Sequence, residues 1–241
     1  MLRFLGRRSA FYEEQNNAYF MDGDRIVFID CAMYGFHVIR KTGLEELAKA
    51  VGSAQDIREI AVLVTHTHGD HVGGIPMLIH YAYYIMKKYV TVVVPSGELR
   101  DEMNFLLEKL EGCDLGAYRV ITVEETDYDW LKAAIPTDHA PELAGKCFGY
   151  QLELGGKNVL YTGDTNTIEP FLPYLTNGSV LYTEVSAYDV PVHMYVEKLL
   201  AQADFFKERQ TEIYLMHMDD EETILEKTRA AGFKPAPLYR G

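Results

Sequence analysis

The chain has 241 residues, of which 48% are hydrophobic and 24% are charged. This composition is typical of a globular protein and excludes a mostly disordered chain, a collagen and a repetitive fibre. Lys and Arg together number 23 against 36 Asp and Glu, which gives a formal net charge of −13. Long nucleic acid is therefore not an expected partner, because binding it needs a basic surface patch.

Three features of the sequence favour a cytoplasmic protein. No run of 18 apolar residues occurs, so neither a membrane-spanning helix nor a membrane partner is expected. Arg3, Arg7 and Arg8 interrupt the apolar residues at the start of the chain, which argues against a secretory signal. The chain has three cysteines, and such an odd, widely spaced set is typical of reduced thiols rather than of a disulfide framework.

Strands and helices are predicted to alternate along the chain. Short apolar and β-branched runs predict strands over 25–30, 60–65, 90–94, 119–123, 130–136, 147–154, 158–162, 180–184 and 212–216. Helical spacing predicts helices over 43–51, 75–88, 96–111 and 192–206, and a last one from about residue 219. Ser96 is the expected N-cap of the third helix, and Gly155 with Gly156 predicts a tight hairpin.

This pattern predicts one α/β (α+β) domain over residues 1–241. No stretch rich in Pro, Gly or Ser separates two parts of the sequence. The strands fall into two runs, each with its own helices, and this predicts two sheets between two layers of helices.

Residues 65–71 read THTHGDH and carry the strongest chemical signal. His66, His68, Asp70 and His71 lie within six positions, although the chain has only 8 His. They come at the end of a predicted strand, where a loop can present ligands to solvent. Imidazole and carboxylate ligands together suit zinc, manganese or iron. Alternation along an extended turn would direct His66 and His68 to one metal, with Asp70 and His71 beside a second.

Three more residues repeat this design, in which a ligand follows a strand. His139, Asp164 in the turn TGDT, and His217 each come shortly after a predicted strand. Each alone is weak evidence, because a lone polar residue at a strand end is usually structural. Together they are the candidates that would complete a metal site.

The THTHGDH stretch resembles the HxHxDH signature of the metallo-β-lactamase superfamily. The resemblance continues in order through Asp30, His139, the TGDT turn and His217. It implies a four-layer αββα sandwich that holds two divalent metal ions, most simply zinc, with manganese or iron as alternatives. It further implies a water or hydroxide between the metals as the nucleophile.

The same resemblance implies a division of the ligands between the two metals. One metal would be bound by His66, His68 and His139, the other by Asp70, His71 and His217, and Asp164 would be shared. Asp70 is also an expected catalytic residue. His68 favours a hydrolase, because superfamily members that carry out redox chemistry on two irons are similar but have Glu at that position. Asp30 is expected to orient a metal-bound His.

The residues around His139 resemble the phosphodiesterase branch that includes ribonuclease Z. His139 lies in the sequence DHAP rather than in an HTPG-like turn, and Gly149 and Tyr150 follow about ten residues later. Glu184 in TEVSA is similar to the HEAT motif of ribonuclease Z, and His193 matches the His that pairs with this Glu. Such a pair would orient the substrate or protonate the leaving oxygen. A solvated or packed position at a helix start is the structural alternative for His193.

Departures from ribonuclease Z favour a smaller substrate. Thr183 and Met194 replace residues that the family has beside the Glu and beside the second His, and FLGRRSAF only partly matches its N-terminal loop. The family's long tRNA-binding arm would lie between Tyr150 and Gly163, where this chain has room only for a hairpin. The expected substrate is therefore a small phosphodiester, such as a cyclic nucleotide or a short oligonucleotide.

Four functions remain open on these grounds. The leading hypothesis is a dinuclear metal-dependent phosphodiesterase. The alternatives are a thioester or lactone hydrolase on the same metals, a tRNA 3′-processing endonuclease, and a nucleotide-binding protein without turnover. Tyr81, Tyr83 and Tyr84 predict a packed or interface helix, which is compatible with a homodimer.

Overall fold

The chain is organised as two units, each built around one six-stranded mixed sheet. The computed structural model describes residues 1–53 and 55–240. Unit 1 comprises Met1–Gly6, Glu13–Thr126 and Pro237–Gly241, and unit 2 comprises Arg7–Tyr12 and Asp127–Ala236. Two mixed sheets with associated helices confirm the predicted α+β class. That residues 1–241 form one domain stays a prediction.

The strands of unit 1 follow one another across the sheet in sequence order. They are β1 (Arg3–Gly6), β2 (Asn17–Asp22), β3 (Arg25–Ile29), β4 (Glu59–Leu63), β5 (Val90–Val94) and β6 (Tyr118–Thr122). β1, β2 and β3 pair antiparallel, and β3 to β6 pair parallel.

The helices of unit 1 connect its strands. They are α1 (Met33–Thr42), α2 (Leu44–Ala50), α3 (Gly69–Val72), α4 (Ile75–Tyr81) and α5 (Gly97–Asn104). The last two continue into π-helical segments at Ala82–Met86 and Phe105–Leu110, and a 3₁₀ turn lies at Val123–Glu125.

Unit 2 has the same design with its own sheet, whose strands also follow sequence order. They are β7 (Leu131–Pro136), β8 (Phe148–Leu154), β9 (Lys157–Tyr161), β10 (Val180–Glu184), β11 (Glu212–Met216) and β12 (Lys234–Pro235). β7, β8 and β9 pair antiparallel, and β9 to β12 pair parallel. The helices are α6 (Val196–Leu200), α7 (Ala203–Glu208) and α8 (Glu221–Thr228), with 3₁₀ turns at Pro141–Leu143, Glu169–Tyr174 and Arg229–Ala231.

Burial of the parallel strands fixes where polar residues can be placed. All five residues of β5 and all five of β10 are buried, as expected for parallel strands covered by helices. Most candidate site residues therefore lie in the segments that follow the strands, whereas Glu184 is the last residue of β10. Because the carboxyl ends of neighbouring parallel strands lie at one edge of a sheet, the loops after β3 and β4 adjoin in unit 1. Those after β9, β10 and β11 adjoin in unit 2.

Most predicted elements are confirmed within one or two residues. Ser96 caps α5, since its hydroxyl accepts a hydrogen bond from the Leu99 N–H at 3.3 Å. Gly155 and Gly156, with φ of 60° and 73°, form the tight hairpin between β8 and β9. Such left-handed backbone suits glycine, which has no Cβ to clash.

The prediction of one helix over 192–206 is wrong, because two shorter helices, α6 and α7, occupy its second part. Tyr195 is extended, with φ −67° and ψ 133°, and its backbone forms a β-bridge with Ser186. A tertiary pairing thus delays the start of the helix to Val196.

The sequence reading also missed β1, β2 and α1. The N-terminus of α1 has no side-chain cap from Ala32 itself. Instead, the Ala32 N–H donates to Oδ1 of Asn17 in β2 at 3.1 Å, a partner supplied from 15 residues away.

Candidate metal centre

In unit 1, the loop after β4 brings His66 and His68 together. Nδ1 of His66 contacts the Thr65 hydroxyl at 3.0 Å, while its Nε2 lies 3.1 Å from Nδ1 of His68. His66 is fully buried and His68 is half-buried. The Thr65 hydroxyl thus holds Nδ1 of the His66 ring. The other ring nitrogen, Nε2, lies close to a nitrogen of His68, as alternation along the turn predicts.

Asp70 and His71 form a second pair, which lies in the short helix α3. Nε2 of His71 is 3.3 Å from Oδ2 of Asp70. Nδ1 of His71 is 2.8 Å from Oδ2 of Asp30, at the end of β3. The Asp30 carboxylate accepts a hydrogen bond from Nδ1, which leaves Nε2 of His71 unprotonated and facing Asp70. A metal-ligating His needs this tautomer.

Asp30 is itself fixed by the neighbouring strand. Its Oδ1 accepts the Thr65 N–H at 2.8 Å and its Oδ2 accepts the Thr65 hydroxyl at 2.9 Å. Burial raises the pKa of the Asp30 carboxyl, while His71 and these hydrogen bonds lower it. The predicted role of Asp30, orienting a ligand His, is consistent with this geometry.

In unit 2, Asp164 lies between two histidines. Its Oδ2 is 3.7 Å from Nε2 of His139 and 3.6 Å from Nε2 of His217. Nδ1 of His139 donates to the Val192 carbonyl oxygen at 2.7 Å, which leaves Nε2 to face Asp164. A carboxylate oxygen placed equally between two imidazoles suits a ligand shared by two metals.

Glu184 and His193 form a pair beside Asp164. Nδ1 of His193 lies 2.8 Å from Oε2 of Glu184, and Oε1 of Glu184 accepts the Thr165 N–H at 2.5 Å. The Glu184 side chain is 1% exposed, whereas that of His193 is 27% exposed. The buried carboxylate therefore anchors a histidine that reaches solvent.

The electrostatics of this pair favour a proton on His193. Burial lowers the pKa of His193, but the Glu184 carboxylate outweighs burial and raises that pKa to about 9. Burial likewise raises the pKa of the Glu184 carboxyl, against the effect of His193. Within the pair, the Glu184 carboxylate therefore favours the protonated form of the His193 imidazole.

Two of the candidate residues have unusual backbone. Among the described residues, non-glycine positions with positive φ are Asp30, Lys87, Gln210 and His217. Asp30 has φ 60° and His217 has φ 50°, and each stands directly after a buried strand. Left-handed backbone is uncommon outside glycine, although Asp and His adopt it more readily than most residues, and it is concentrated at functional sites.

The structure thus brings the predicted residues together within each unit. Unit 1 groups His66, His68, Asp70 and His71, with Asp30 behind them; unit 2 groups His139, Asp164, Glu184, His193 and His217. One ligand atom from each of His139, Asp164, Glu184 and His193 lies within 4.8 Å of the others. Imidazole and carboxylate donors of this kind are able to bind zinc, manganese or iron. The sequence analysis assigned no role to Thr65, Thr165 or Val192. Thr165 and Val192 act through backbone groups, which residue type does not reveal, and the partner of the Thr65 hydroxyl, Asp30, lies 35 residues away.

Comparison with known proteins identifies the family. Residues 1–235 match the profile of the family described as Anti-Pycsar protein Apyc1. The chain belongs to the Anti-Pycsar protein Apyc1 family. The Apyc1 protein of Saccharibacillus brassicae is 31% identical over 248 residues, a match that covers 91% of this chain and 90% of that protein.

Solved structures establish the fold of this Apyc1 family member. The metallo-β-lactamase fold protein YhfI of Bacillus subtilis matches with a TM-score of 0.70 and 16% identity, over 99% of this chain and 96% of that one. The short form of human tRNase Z matches with a TM-score of 0.62 and 17% identity, over 92% and 93%. The predicted metallo-β-lactamase fold is therefore confirmed.

Within residues 1–53 and 55–240, no helix is both long enough and apolar enough to span a bilayer.

Proposed function

We propose that this protein is a dinuclear metal-dependent hydrolase that cleaves small phosphodiesters. The observation that carries the proposal is the Glu184–His193 pair, in which a buried carboxylate holds a partly exposed histidine beside Asp164. Metal binding by itself would require only the ligand residues and would not require this pair. An additional protonated histidine at its edge suits a reaction in which a leaving oxygen must receive a proton.

The residues present fit two divalent cations. In the proposed arrangement, His66, His68 and His139 bind one cation; Asp70, His71 and His217 bind the other; and Asp164 is shared. The separate pairings of His66 with His68 and of Asp70 with His71 support this division. We favour zinc, with manganese and iron as alternatives, because the donors are imidazole and carboxylate. Such cations lower the pKa of water and neutralise charge on a phosphodiester.

The protein's own side chains supply the proton chemistry. Glu184 holds Nδ1 of His193, so the Nε2–H of His193 is directed away from that contact and is available to protonate a leaving oxygen. Asp70, whose side chain is 11% exposed, would accept a hydrogen bond from the attacking water. Asp30 keeps Nε2 of His71 turned toward Asp70.

The size of the substrate follows from the segment between Tyr150 and Gly163. β8 and β9 are joined there by the two-glycine hairpin alone, so no long arm for a tRNA is present in the described residues. The formal net charge of −13 also disfavours a long polyanion. We propose a cyclic nucleotide or a short oligonucleotide as the substrate. We favour these small substrates over tRNA, the substrate that the name of human tRNase Z indicates for that protein. A cytoplasmic location and a homodimer stay predictions.

Turnover of a chromogenic diester tests the proposal. Purified protein loaded with zinc or manganese is expected to release p-nitrophenol from bis-p-nitrophenyl phosphate, and chelation should abolish release. His193→Ala is expected to slow this release. The exposed His37→Ala variant is its control, since both substitutions remove one imidazole. Activity on acyl-glutathione or homoserine lactones without activity on diesters would favour the thioester or lactone alternative. Tight nucleotide binding without turnover would favour a binding protein.

A further inference from the structure

We infer that the hydrogen bond between Ser186 and Asp219, here called the Ser186–Asp219 brace, positions the Glu184–His193 pair relative to His217. This inference rests on the proposed function and assigns Ser186 and Asp219 as positioning residues for it. Neither belongs to the predicted ligand set, and all five residues lie in unit 2.

The brace is short and involves a charge. Oγ of Ser186 lies 2.6 Å from Oδ2 of Asp219 and 2.9 Å from the Tyr188 carbonyl oxygen. A hydroxyl has one proton, and the shorter contact to a carboxylate is the stronger of the two. The other carboxylate oxygen, Oδ1, accepts the N–H groups of Ala187 at 2.9 Å and Asp220 at 2.7 Å.

The backbone of Ser186 is joined to the segment that carries His193. The Ser186 N–H donates to the Met194 carbonyl oxygen at 2.8 Å, and the Ser186 carbonyl oxygen accepts the Val196 N–H at 2.9 Å. Met194 directly follows His193, and Ser186 is two residues after Glu184. One 2%-exposed serine therefore ties together the two segments that carry the pair.

The side chain of Ser186 adds the third segment. Asp219 is two residues after His217, and the His217 ring lies 5.5 Å, between centroids, from that of His193. Without the brace, Glu184 and His193 keep their own contact and their anchor at Thr165. They would lose the buried side-chain bond that fixes Ser186 against Asp219, while the pairing of β10 with β11 and the Ala187 N–H bond to Asp219 would remain.

The loop carrying Asp219 is also held from its other side. The Met218 N–H donates to the Arg7 carbonyl oxygen at 3.0 Å, and the Ser9 N–H donates to the Met218 carbonyl oxygen at 3.1 Å. Nη2 of Arg8 donates to the Asp219 carbonyl oxygen at 3.0 Å. Because this loop is fixed, the Ser186–Asp219 brace holds the segments that carry Glu184 and His193 in a defined position relative to it.

Asp219→Asn tests the brace with little change in shape. The amide keeps an oxygen for the Ala187 and Asp220 N–H groups, but its NH₂ replaces the carboxylate oxygen that accepts from Ser186. The short charge-assisted bond is then replaced by a weaker one in which the amide donates to the hydroxyl. Ser186→Ala removes the same bond from the other side, and circular dichroism checks that both variants fold. Asp220→Asn is the matched control, because it removes the same charge one residue away and keeps a residue suited to capping α8.

The readout is kcat on a graded series of substituted diphenyl phosphates, with metal content measured on each sample. p-Nitrophenolate is a weak base and leaves without protonation, whereas departure of the more basic phenolate depends strongly on a general acid. We expect kcat of Asp219→Asn and Ser186→Ala to fall about 10–100-fold for phenolate and less than about 3-fold for p-nitrophenolate, with metal retained, because small misplacement of a catalytic group is costly. The double variant should lose no more than either single variant.

Two results would overturn the inference in different ways. If the unaltered protein hydrolyses diesters and both variants match Asp220→Asn across the series, or lose metal and all substrates equally, the brace is not a positioning device. If the unaltered protein hydrolyses no diester with any divalent metal, the proposed function fails and the inference fails with it.

Discussion

Oδ2 of Asp30 lies 2.8 Å from Nδ1 of His71, although the two residues are 41 positions apart in sequence. Parallel pairing of β3 with β4 creates this contact, because Asp30 ends one strand and the loop with His71 follows the other. The carboxylate holds Nδ1 of His71 and leaves Nε2 to face Asp70.

Asp30→Asn is expected to weaken metal binding about 10–100-fold, the usual effect of losing a carboxylate behind a ligand His. An amide has only one oxygen, so it cannot accept the Thr65 N–H on one side together with the Thr65 hydroxyl and the imidazole N–H on the other. Titration with a competing chelator measures the affinity. Asp56→Asn, which changes an exposed carboxylate of unit 1, is the control. Equal affinities for the two variants would show that Asp30 does not orient a ligand.

Asp164→Ala should lose most activity and part of the metal. Asp164 is the carboxylate that lies 3.7 Å and 3.6 Å from two imidazoles, so its loss affects both sides of the proposed centre. We expect kcat/KM to fall on the order of 10²–10³-fold, corresponding to several kcal/mol of lost stabilisation. Elemental analysis should find fewer than two metal equivalents, with the exposed Asp204→Ala variant as control. Two equivalents and full rate would refute the shared-ligand assignment.

His193→Ala should reduce turnover and spare the metal. Loss of a general acid costs about 10²–10⁴-fold for a leaving group that needs a proton. Glu184→Gln is a companion variant. We expect it to lose less turnover than His193→Ala, because the amide oxygen can still accept a hydrogen bond from Nδ1 of His193. An unchanged rate for His193→Ala would make the residue structural.

The capping box at Thr122 and Glu125 predicts a pH-dependent contribution to stability. The Thr122 N–H donates to Glu125 at 2.8 Å and, with Arg100, lowers the pKa of that carboxyl. A lowered folded-state pKa stabilises the protein above the unfolded pKa, and this stabilisation is lost as pH falls through the folded pKa. Melting temperatures from pH 7 to pH 3 should therefore fall more for the unaltered protein than for Glu125→Gln. Glu124→Gln, one residue away, should follow the unaltered protein.

Gly149→Ala should destabilise unit 2. An added Cβ would lie 2.5 Å from Cζ of Phe171 and 2.6 Å from the Thr162 carbonyl oxygen, closer than real Cβ contacts. We expect a loss of about 1–3 kcal/mol or more in the free energy of unfolding, measured by urea denaturation. Gly97→Ala, whose Cβ would meet only the end of Arg100 at 4.0 Å, should be neutral or slightly stabilising. Similar effects of the two substitutions would contradict the packing argument.

The sequence alone was sufficient to predict the buried strands and the chemistry of the ligands. Parallel strands such as β4 and β5 are short runs of mostly apolar, β-branched residues, and such runs are visible without a structure. Three histidines and an aspartate within residues 65–71 are equally visible, as is their resemblance to the superfamily signature. Elements that depend on a distant partner were missed. Asn17 supports the start of α1, and pairing of Ser186 with Tyr195 shortens the predicted helix over 192–206.

The sequence by itself thus determined which residues are candidate ligands, the order in which they occur and the fold they belong to. Only the tertiary structure decided which ring nitrogen of His71 or His139 is presented, since Asp30 and the Val192 carbonyl hold the other one. It alone joined Ser186 to Asp219. The physical reason is that hydrogen bonds between distant residues depend on strand pairing and loop position, whereas residue type and spacing are local properties of the chain.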